Sequence, residues 1–304
     1  MKKLVFGSLN IDRTYQVTGF VRPKETISAL DYACFCGGKG FNQAVALARA
    51  GSELYFAGVI GADGEMLRQG LLDEGIHTQL LKASPNANGH AVIQVNERGE
   101  NCIIVAAGSN AEVSREYVDE VLEHFAKGDL ILLQNEIPHI GYIIDRASEK
   151  GMEIALNPSP FNQAVENCRL DRVRYLLINE VEGCELTGKH EPEDILDAIE
   201  ARFAGVAVVL TLGEKGACFK AADGRRFFCE AAPCVCVDTT AAGDTFTGYF
   251  LTEYLEQGDA ALALRRAAVA SAIAVSRKGA YDSIPRREEV LRKLEAASAG
   301  PAAV

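Results

Sequence analysis

The 304-residue sequence has no apolar run near the roughly 20 residues that a membrane-spanning helix requires. It has no C-x-x-C pair, and its five histidines show no metal-ligand spacing, so a zinc site is unsupported. It has no basic excess: 31 Lys and Arg stand against 42 Asp and Glu, a formal net charge of −11. That balance argues against a nucleic-acid polyanion as partner. It leaves open an anionic small molecule, because loops and helix ends bind anions inside acidic proteins. The opening "MKKLVFGSLNID" starts with two lysines, as a signal peptide does. Its apolar stretch of about four residues then meets Gly7, Ser8 and Asn10, too short for a signal h-region. A cytoplasmic location is expected. No internal repeat and no linker divides the chain, so one α/β domain over residues 1–304 is expected.

What is present suits a large buried core: 48% hydrophobic and 24% charged residues. The nine cysteines include two pairs spaced two apart, Cys34 with Cys36 and Cys234 with Cys236. On a strand each pair would share a face. They could form a metal or redox pair, but small buried hydrophobes in a reducing compartment are the expected reading. Short β-branched runs, "KLVFGSLN", "LYFAGVIG", "DLILLQNE", "MEIALNP", "RYLLINE" and "AVVLTLG", read as buried parallel strands. Between them "GFNQAVALARAG", "GEMLRQGLLDEG", "VSREYVDEVLEHFAKG" and "IGYIIDRASEKG" carry helical periodicity and stop at glycine. The alternation predicts βαβ units with helices on both faces of one sheet. Two stretches, about 13–36 and 89–106, alternate instead like antiparallel strands. They are expected to form a lid over a cleft rather than an edge decoration. The tail "ASAGPAAV" is expected to be disordered.

Ligands of open parallel sheets sit beyond the strand carboxyl ends. Four of those ends are polar here: "SLNID", "QNE", "NPSP" and "INEVE". Together they imply a polar ligand. "CGGKGFNQAVALA" places three glycines before a helix, where the backbone can approach a ligand. Gly40 after Lys39 breaks a P-loop, and Phe41-Asn42-Gln43 breaks a dinucleotide fingerprint. Asn42 offers an amide that both donates and accepts. In "CVCVDTTAAGDTFTGYF" a strand is expected to run out at Asp238 and a helix to start near Asp244. Ala241, Ala242 and Gly243 would leave the helix-start N–H groups bare for phosphate oxygens. Asp244 could take a proton from an attacking hydroxyl, or could merely cap the helix.

"GGKGFNQAVALARAG" and "DTTAAGDTFTGYF", with "NPSP", "NEVEGCELTG", "TLGEKGA" and "VSRKGAYDSIP" in order between and after them, resemble the PfkB (ribokinase-like) sugar kinase family. "SLNID", "GGKGFNQA", "LLQNEIP" and "VDTTAAGDTF" sit nearest its ribose-phosphorylating members. The resemblance implies a three-layer sandwich with a mostly parallel central sheet flanked by helices, plus a small β-sheet lid that pairs two subunits in a homodimer. It implies ATP-dependent phosphorylation of a free sugar, D-ribose to D-ribose 5-phosphate, with Asp244 as base and residues 241–244 as the anion hole. By position, Asn10, Asp12, Gly38, Lys39, Gly40, Asn42 and Glu136 would face the sugar. Asn179, Thr211, Gly213, Gly216, Ala242 and Gly243 would face the nucleotide, and Glu182 would serve Mg2+ and phosphate. A monovalent cation, K+, would be held by Asp238, Thr240, Ala274, Arg277, Gly279 and Ser283, mainly through carbonyls. The chain departs from the family at Ala241, where many members have glycine, and at Ala268, where a histidine is common.

Other acceptors on the same fold are 2-deoxyribose, fructose, adenosine and pseudouridine. A sugar-phosphate acceptor would call for a basic cluster in the lid, and Arg13, Arg22 and Lys24 are dispersed. A non-catalytic sugar or nucleotide sensor would need no base such as Asp244. A dinucleotide oxidoreductase is disfavoured by the broken fingerprint.

Overall fold

Thirteen strands and ten helices, as described by a computed structural model over residues 1–298, arrange the site at one end of a large sheet. In chain order the strands are β1 (Lys3–Phe6), β2 (Asn10–Gln16), β3 (Asp31–Gly37), β4 (Tyr55–Ile60), β5 (His77–Ala83), β6 (Gly89–Val95), β7 (Asn101–Ala106), β8 (Leu130–Gln134), β9 (Glu153–Asn157), β10 (Tyr175–Asn179), β11 (Ala207–Thr211), β12 (Ala217–Lys220) and β13 (Arg226–Cys229). The helices are α1 (Lys39–Arg49), α2 (Glu65–Asp73), α3 (Arg115–Leu122), α4 (Ile140–Glu149), α5 (Gln163–Glu166), α6 (Glu180–Thr187), α7 (Pro192–Arg202), α8 (Ala242–Gln257), α9 (Ala260–Val275) and α10 (Arg287–Ser298).

Nine strands form the main sheet in the order β13-β12-β11-β10-β9-β8-β1-β4-β5. It is parallel from β11 to β5, and the β12–β13 hairpin adds an antiparallel edge. Side chains alternate across it as a doubly covered sheet requires. Val5, Leu130, Leu132, Leu177 and Val209 pack under α1, α8 and α9. Leu4, Phe6, Ile131, Leu133 and Val208 pack under α3, α4 and α7. All six expected parallel strands and all four expected helices are present. The strands β5, β12 and β13 were not anticipated; each is an edge element or next to one, with a weaker apolar run.

The second sheet runs β3-β2-β6-β7 and occupies the two stretches expected to form a lid. Its register corrects the antiparallel expectation. β2 pairs with β3 and β6 with β7 antiparallel, but the central pair β2–β6 is parallel. The sheet begins at Asn10 rather than residue 13, so the lid grows directly out of the loop after β1. A second correction concerns "CVCVDTT", which forms no strand. Pro233 lacks an N–H to pair, and the N–H groups of Val237 and Asp238 both donate to the single carbonyl of Val275 instead of a ladder. The cysteines also differ from expectation: only Cys36 and Cys218 are buried, while Cys34, Cys102, Cys234 and Cys236 are exposed. Of the tail "ASAGPAAV", the first two residues end α10 and residues 299–304 lie outside the described residues. No helix among the described residues is long and apolar enough to cross a membrane.

Candidate active site

The chain runs β1, β4 and β5 to one side, then returns beyond β1 to lay down β8 to β11. This reversal opens a crevice between β1 and β8, the switch point where open sheets bind ligands. Ser8, just past β1, and Glu136, just past β8, meet there. Ser8 Oγ donates to Glu136 Oε2, which also accepts the Lys39 N–H at 2.9 Å. Gly40 N–H returns to Ser8 Oγ at 3.2 Å. A Cβ on Gly40 would fall 2.4 Å from the Ser8 nitrogen, so only glycine lets α1 start this close to β1. Gly38, at φ 92°, makes the turn. Both bonds fall on Oε2, which leaves Glu136 Oε1 without a hydrogen bond to the protein.

The base of the lid supplies the next polar groups. Asn10 opens β2, and its Oδ1 accepts from Asn110 Nδ2 at 2.7 Å. Asn110 also accepts the Leu9 N–H at 2.9 Å, so Asn10 is fixed and its Nδ2 is left to donate. Asp12 lies two residues on and so projects from the same face. It packs against Gly37, where a Cβ would sit 2.1 Å from Asp12 Oδ2. Burial pushes the Asp12 carboxyl up to about 7, and the charge of Glu136 adds to the effect. Arg13 is turned away and pairs with Asp63 at 2.9 Å, so no basic cluster forms.

Asp244 is buried in the first turn of α8, where both of its carboxylate oxygens are held. Asn42 Nδ2 donates to Oδ2 at 3.2 Å and Gln43 Nε2 donates to Oδ1 at 2.8 Å. Asn42 Oδ1 is buried with no partner in the protein, an acceptor beside the carboxylate. The Lys39 ammonium is held above the ordinary lysine range, first by Asp244 against the opposing effect of burial, then by Glu136 and Glu182. One cation therefore serves three carboxylates across the cleft.

The start of α8 is bare, though not in quite the way expected. Ala241 adopts φ 58°, a left-handed conformation, and Ala242 N–H is already taken by the Thr239 carbonyl at 3.2 Å. The N–H groups of Gly243 and Asp244 have no acceptor in the protein. A Cβ added to Gly243 would meet nothing within 4 Å. The glycine is thus not required by packing, and a helical glycine costs about 1 kcal/mol relative to alanine. Asn179 and Glu182 form a reciprocal capping box at the start of α6, with bonds of 2.9 and 3.1 Å. Both still line the cleft, with Thr211, Thr239 and Lys39. Gly213 opens and Gly216 follows a short 3-10 turn beyond Thr211, outside the lining residues. Ala268 is buried in α9.

The expected cation segments are knitted together. Asp238 Oδ1 accepts both the N–H and the hydroxyl of Thr240, at 2.9 and 2.6 Å, and Oδ2 accepts the Gly279 N–H at 2.8 Å. Burial opposes ionisation of Asp238, but these hydrogen bonds outweigh it and hold the carboxyl below the usual range. Arg277 N–H is held by the Ala274 carbonyl and Ser283 Oγ by the Ala280 carbonyl. Among the described residues no cluster of three or more His, Cys, Asp or Glu side chains could hold a metal ion.

Sequence reasoning flagged the polar segments that hold Ser8, Gln134 and Asn157 without singling out those residues, and it missed Gln43 and Asn110. Gln43 left one weak signal: it shares a helix face with Leu47, four residues on, which is consistent with a buried amide.

A mostly parallel sheet with helices on both faces, a β-sheet lid over the crevice and a buried carboxylate at a bare helix start define the class of lidded α/β kinases. The chain belongs to the pfkB family of carbohydrate kinases, whose family model matches residues 2–287. It is 37% identical over 301 residues to the ribokinase of Haemophilus influenzae, covering 96% of this chain and 97% of that one. The deoxyribokinase of Salmonella typhi is 31% identical over 296 residues, covering 94% and 96%. The structure of Arabidopsis thaliana ribokinase complexed with ribose and ATP superposes with a TM-score of 0.84 at 31% identity, covering 97% and 98%.

Proposed function

We propose that this protein transfers the γ-phosphoryl group of ATP to a hydroxyl of a free sugar, with D-ribose, phosphorylated at its 5-hydroxyl, as the acceptor. The observation that carries the reading is the placement of Asp244. Its carboxylate stands between the polar groups at the base of the lid and the unpartnered N–H groups of the α8 start. As the acceptor oxygen bonds to the γ-phosphorus, its proton passes to Asp244. The bond from that phosphorus to the β-bridging oxygen breaks, and ADP leaves with the electron pair. The N–H groups of Gly243 and Asp244 face the charge on the transferred group, and Lys39 balances the carboxylates around it. Asn10 Nδ2, Asp12, Asn42 Oδ1 and Glu136 Oε1 are the donor and acceptors that a polyhydroxylated ligand takes, with Gly38 and Gly40 bringing the backbone close. Asn179, Thr211, Ala242 and Gly243 are assigned to the nucleotide side, with Gly213 and Gly216 shaping the loop beyond it.

Glu182 fits Mg2+ held mostly through phosphates and water: one carboxylate oxygen is tied to Asn179 N–H and the other points free. Bound there, the ion would neutralise phosphate charge. Ionised Asp238, beside the carbonyls of the 274–283 segment and with Thr240, Ala274, Arg277, Gly279 and Ser283 around it, fits a weakly hydrated monovalent cation such as K+. Turnover should be higher in potassium than in sodium-only buffer, and equal rates would remove that assignment. Two copies are proposed to pair through the lid, whose outer strands expose Tyr32, Phe35, Ile103, Ile104 and Val105.

The test is a coupled ADP-release screen across ribose, 2-deoxyribose, fructose, adenosine and pseudouridine. Ribose should give the highest kcat/KM. Turnover of another member instead would move the acceptor within the family, and turnover of none would favour a non-catalytic sensor.

A further inference from the structure

Gln43 does more than fill a buried position. It is fully enclosed in α1, and its amide is used at every site. Gln43 Oε1 accepts from Gln134 Nε2 at 2.7 Å. Its two Nε2 hydrogens go to Asp244 Oδ1 at 2.8 Å and Asn157 Oδ1 at 3.0 Å. An amide has only two donor hydrogens, so this one is spent. Turned over, it would set its own carbonyl oxygen against two acceptors and its NH2 against that of Gln134. The charge on Asp244 therefore selects the direction of the whole chain from Gln134 inward. With Asn42 on Oδ2 and Gln43 on Oδ1, the carboxylate cannot rotate without breaking a buried hydrogen bond.

We propose that Gln43 is a positioning residue for phosphoryl transfer: it locks the orientation of the Asp244 carboxylate and, as a neutral donor, keeps that carboxylate available as a base. This rests on the reading of Asp244 as the base. The charged groups facing Asp244 are the Lys39 ammonium and, beyond it, Glu136 and Glu182; Asn42, Gln43 and Asn157 are neutral. A neutral amide is needed on the Oδ1 side because a second carboxyl at this distance would share a proton with Asp244 and drive one of the pair to titrate far higher.

The test is steady-state kinetics from pH 5.5 to 9 on the full-length protein, with ATP and D-ribose or whichever acceptor the screen identifies. The variants are Asp244→Asn, Gln43→Met and Gln43→Glu. Gln43→Met removes the lock and should lower kcat by about 10- to 100-fold, with both KM values within about threefold of the parent. Gln43→Glu keeps the size of the side chain and the acceptor for Gln134. Its acid limb of kcat should move up by about one pH unit or more, which loss of packing alone would not do. If Gln43→Met does not fold, the Gln43→Glu profile decides alone. The proposal is overturned if Asp244→Asn is inactive while Gln43→Glu keeps its acid limb within about 0.3 pH unit of the parent. If Asp244→Asn instead retains turnover, it is the base assignment that fails.

Discussion

The two halves of the cleft are built from different materials. On the lid side the polar groups at the cleft are side chains, Asn10, Asp12, Asn42 and Glu136, most with one atom tied to the protein and another left over. On the α8 side the groups are backbone N–H, exposed because Gly243 carries no side chain and no carbonyl covers it. Side chains can be charged and selective, which suits an acceptor recognised by its hydroxyls. Backbone dipoles are fixed and need no reorganisation, which suits charge that develops during transfer. Asp244 belongs to both, a side chain on the first turn of the bare helix.

The largest effect should come from that shared residue. Asp244→Asn keeps the size of the side chain but removes the base, and kcat should fall by about 10³-fold. Calorimetric titration should show ATP and sugar still binding. Turnover within a few-fold of the parent would sink its role as base. Next should come Gly243→Ala on the backbone half. The methyl meets no protein atom within 4 Å, so folding tolerates it, and the helix gains up to about 1 kcal/mol. It would stand where phosphate must approach, and kcat/KM for ATP should drop about 10- to 100-fold. A variant both more stable and fully active would deny that the bare turn binds anything.

Asp12 sharpens the side-chain half. Its carboxyl titrates at about 7, so it is ionised at pH 8 and half protonated near neutrality. An ionised acceptor makes the stronger bond to a hydroxyl, by about 1 kcal/mol or more, so KM for the sugar should rise as pH falls through 7. Asp12→Asn should raise that KM about tenfold at pH 8 and flatten its pH dependence. Stability should move oppositely. The folded pKa is raised above the unfolded value near 3.8, so ionisation costs stability progressively as pH rises from about 4 to about 7. Asp12→Asn should therefore melt higher than the parent at pH 8 and show little gain at pH 4. No difference between the two pH values would mean that Asp12 is not buried as described.

Much of this was readable beforehand, and the exceptions share a cause. The parallel strands are continuous apolar runs that a doubly covered sheet requires, and α1, α2 and α4 each stop two residues before a glycine, so propensity and burial agree; α3 instead ends at Leu122, well before Gly128. Asn42, Glu136 and Asp244 stood out because carboxylates and amides at strand ends and helix starts have no packing purpose. Gln43 did not stand out, since in "FNQAVALA" it follows the polar Asn42 and only its spacing to Leu47 hints at burial; its partners across the fold, Gln134 and Asn157, make it part of the site. The run "CVCVDTT" alternates like a strand, but a strand also needs a neighbour, and none lies beside residues 234–240. The parallel β2–β6 pairing likewise depends on which strands meet, and alternation alone is silent on that.

The smallest effect should come from Ala241, and it isolates backbone from ligand. Ala241 and Gly243 are exchanged relative to what the local conformations favour: alanine holds φ 58° at the turn, and glycine lies in the helix. On the proposed function the glycine leaves room for a ligand; the alanine has no such reason. A left-handed alanine costs about 1–2 kcal/mol, while glycine loses about 0.5–1 kcal/mol more chain entropy on folding. Ala241→Gly should therefore gain about 0.5–1 kcal/mol and raise Tm by roughly 1–3 °C. Its ATP kinetics should stay within about twofold, because Ala241 contributes shape and not a donor. A stability gain in Gly243→Ala paid in activity, beside a gain in Ala241→Gly that is not, would show that the α8 start is cut to fit a ligand at residue 243 and only turned at residue 241. A matching loss of activity in Ala241→Gly would mean instead that the strained turn itself holds the N–H groups in register.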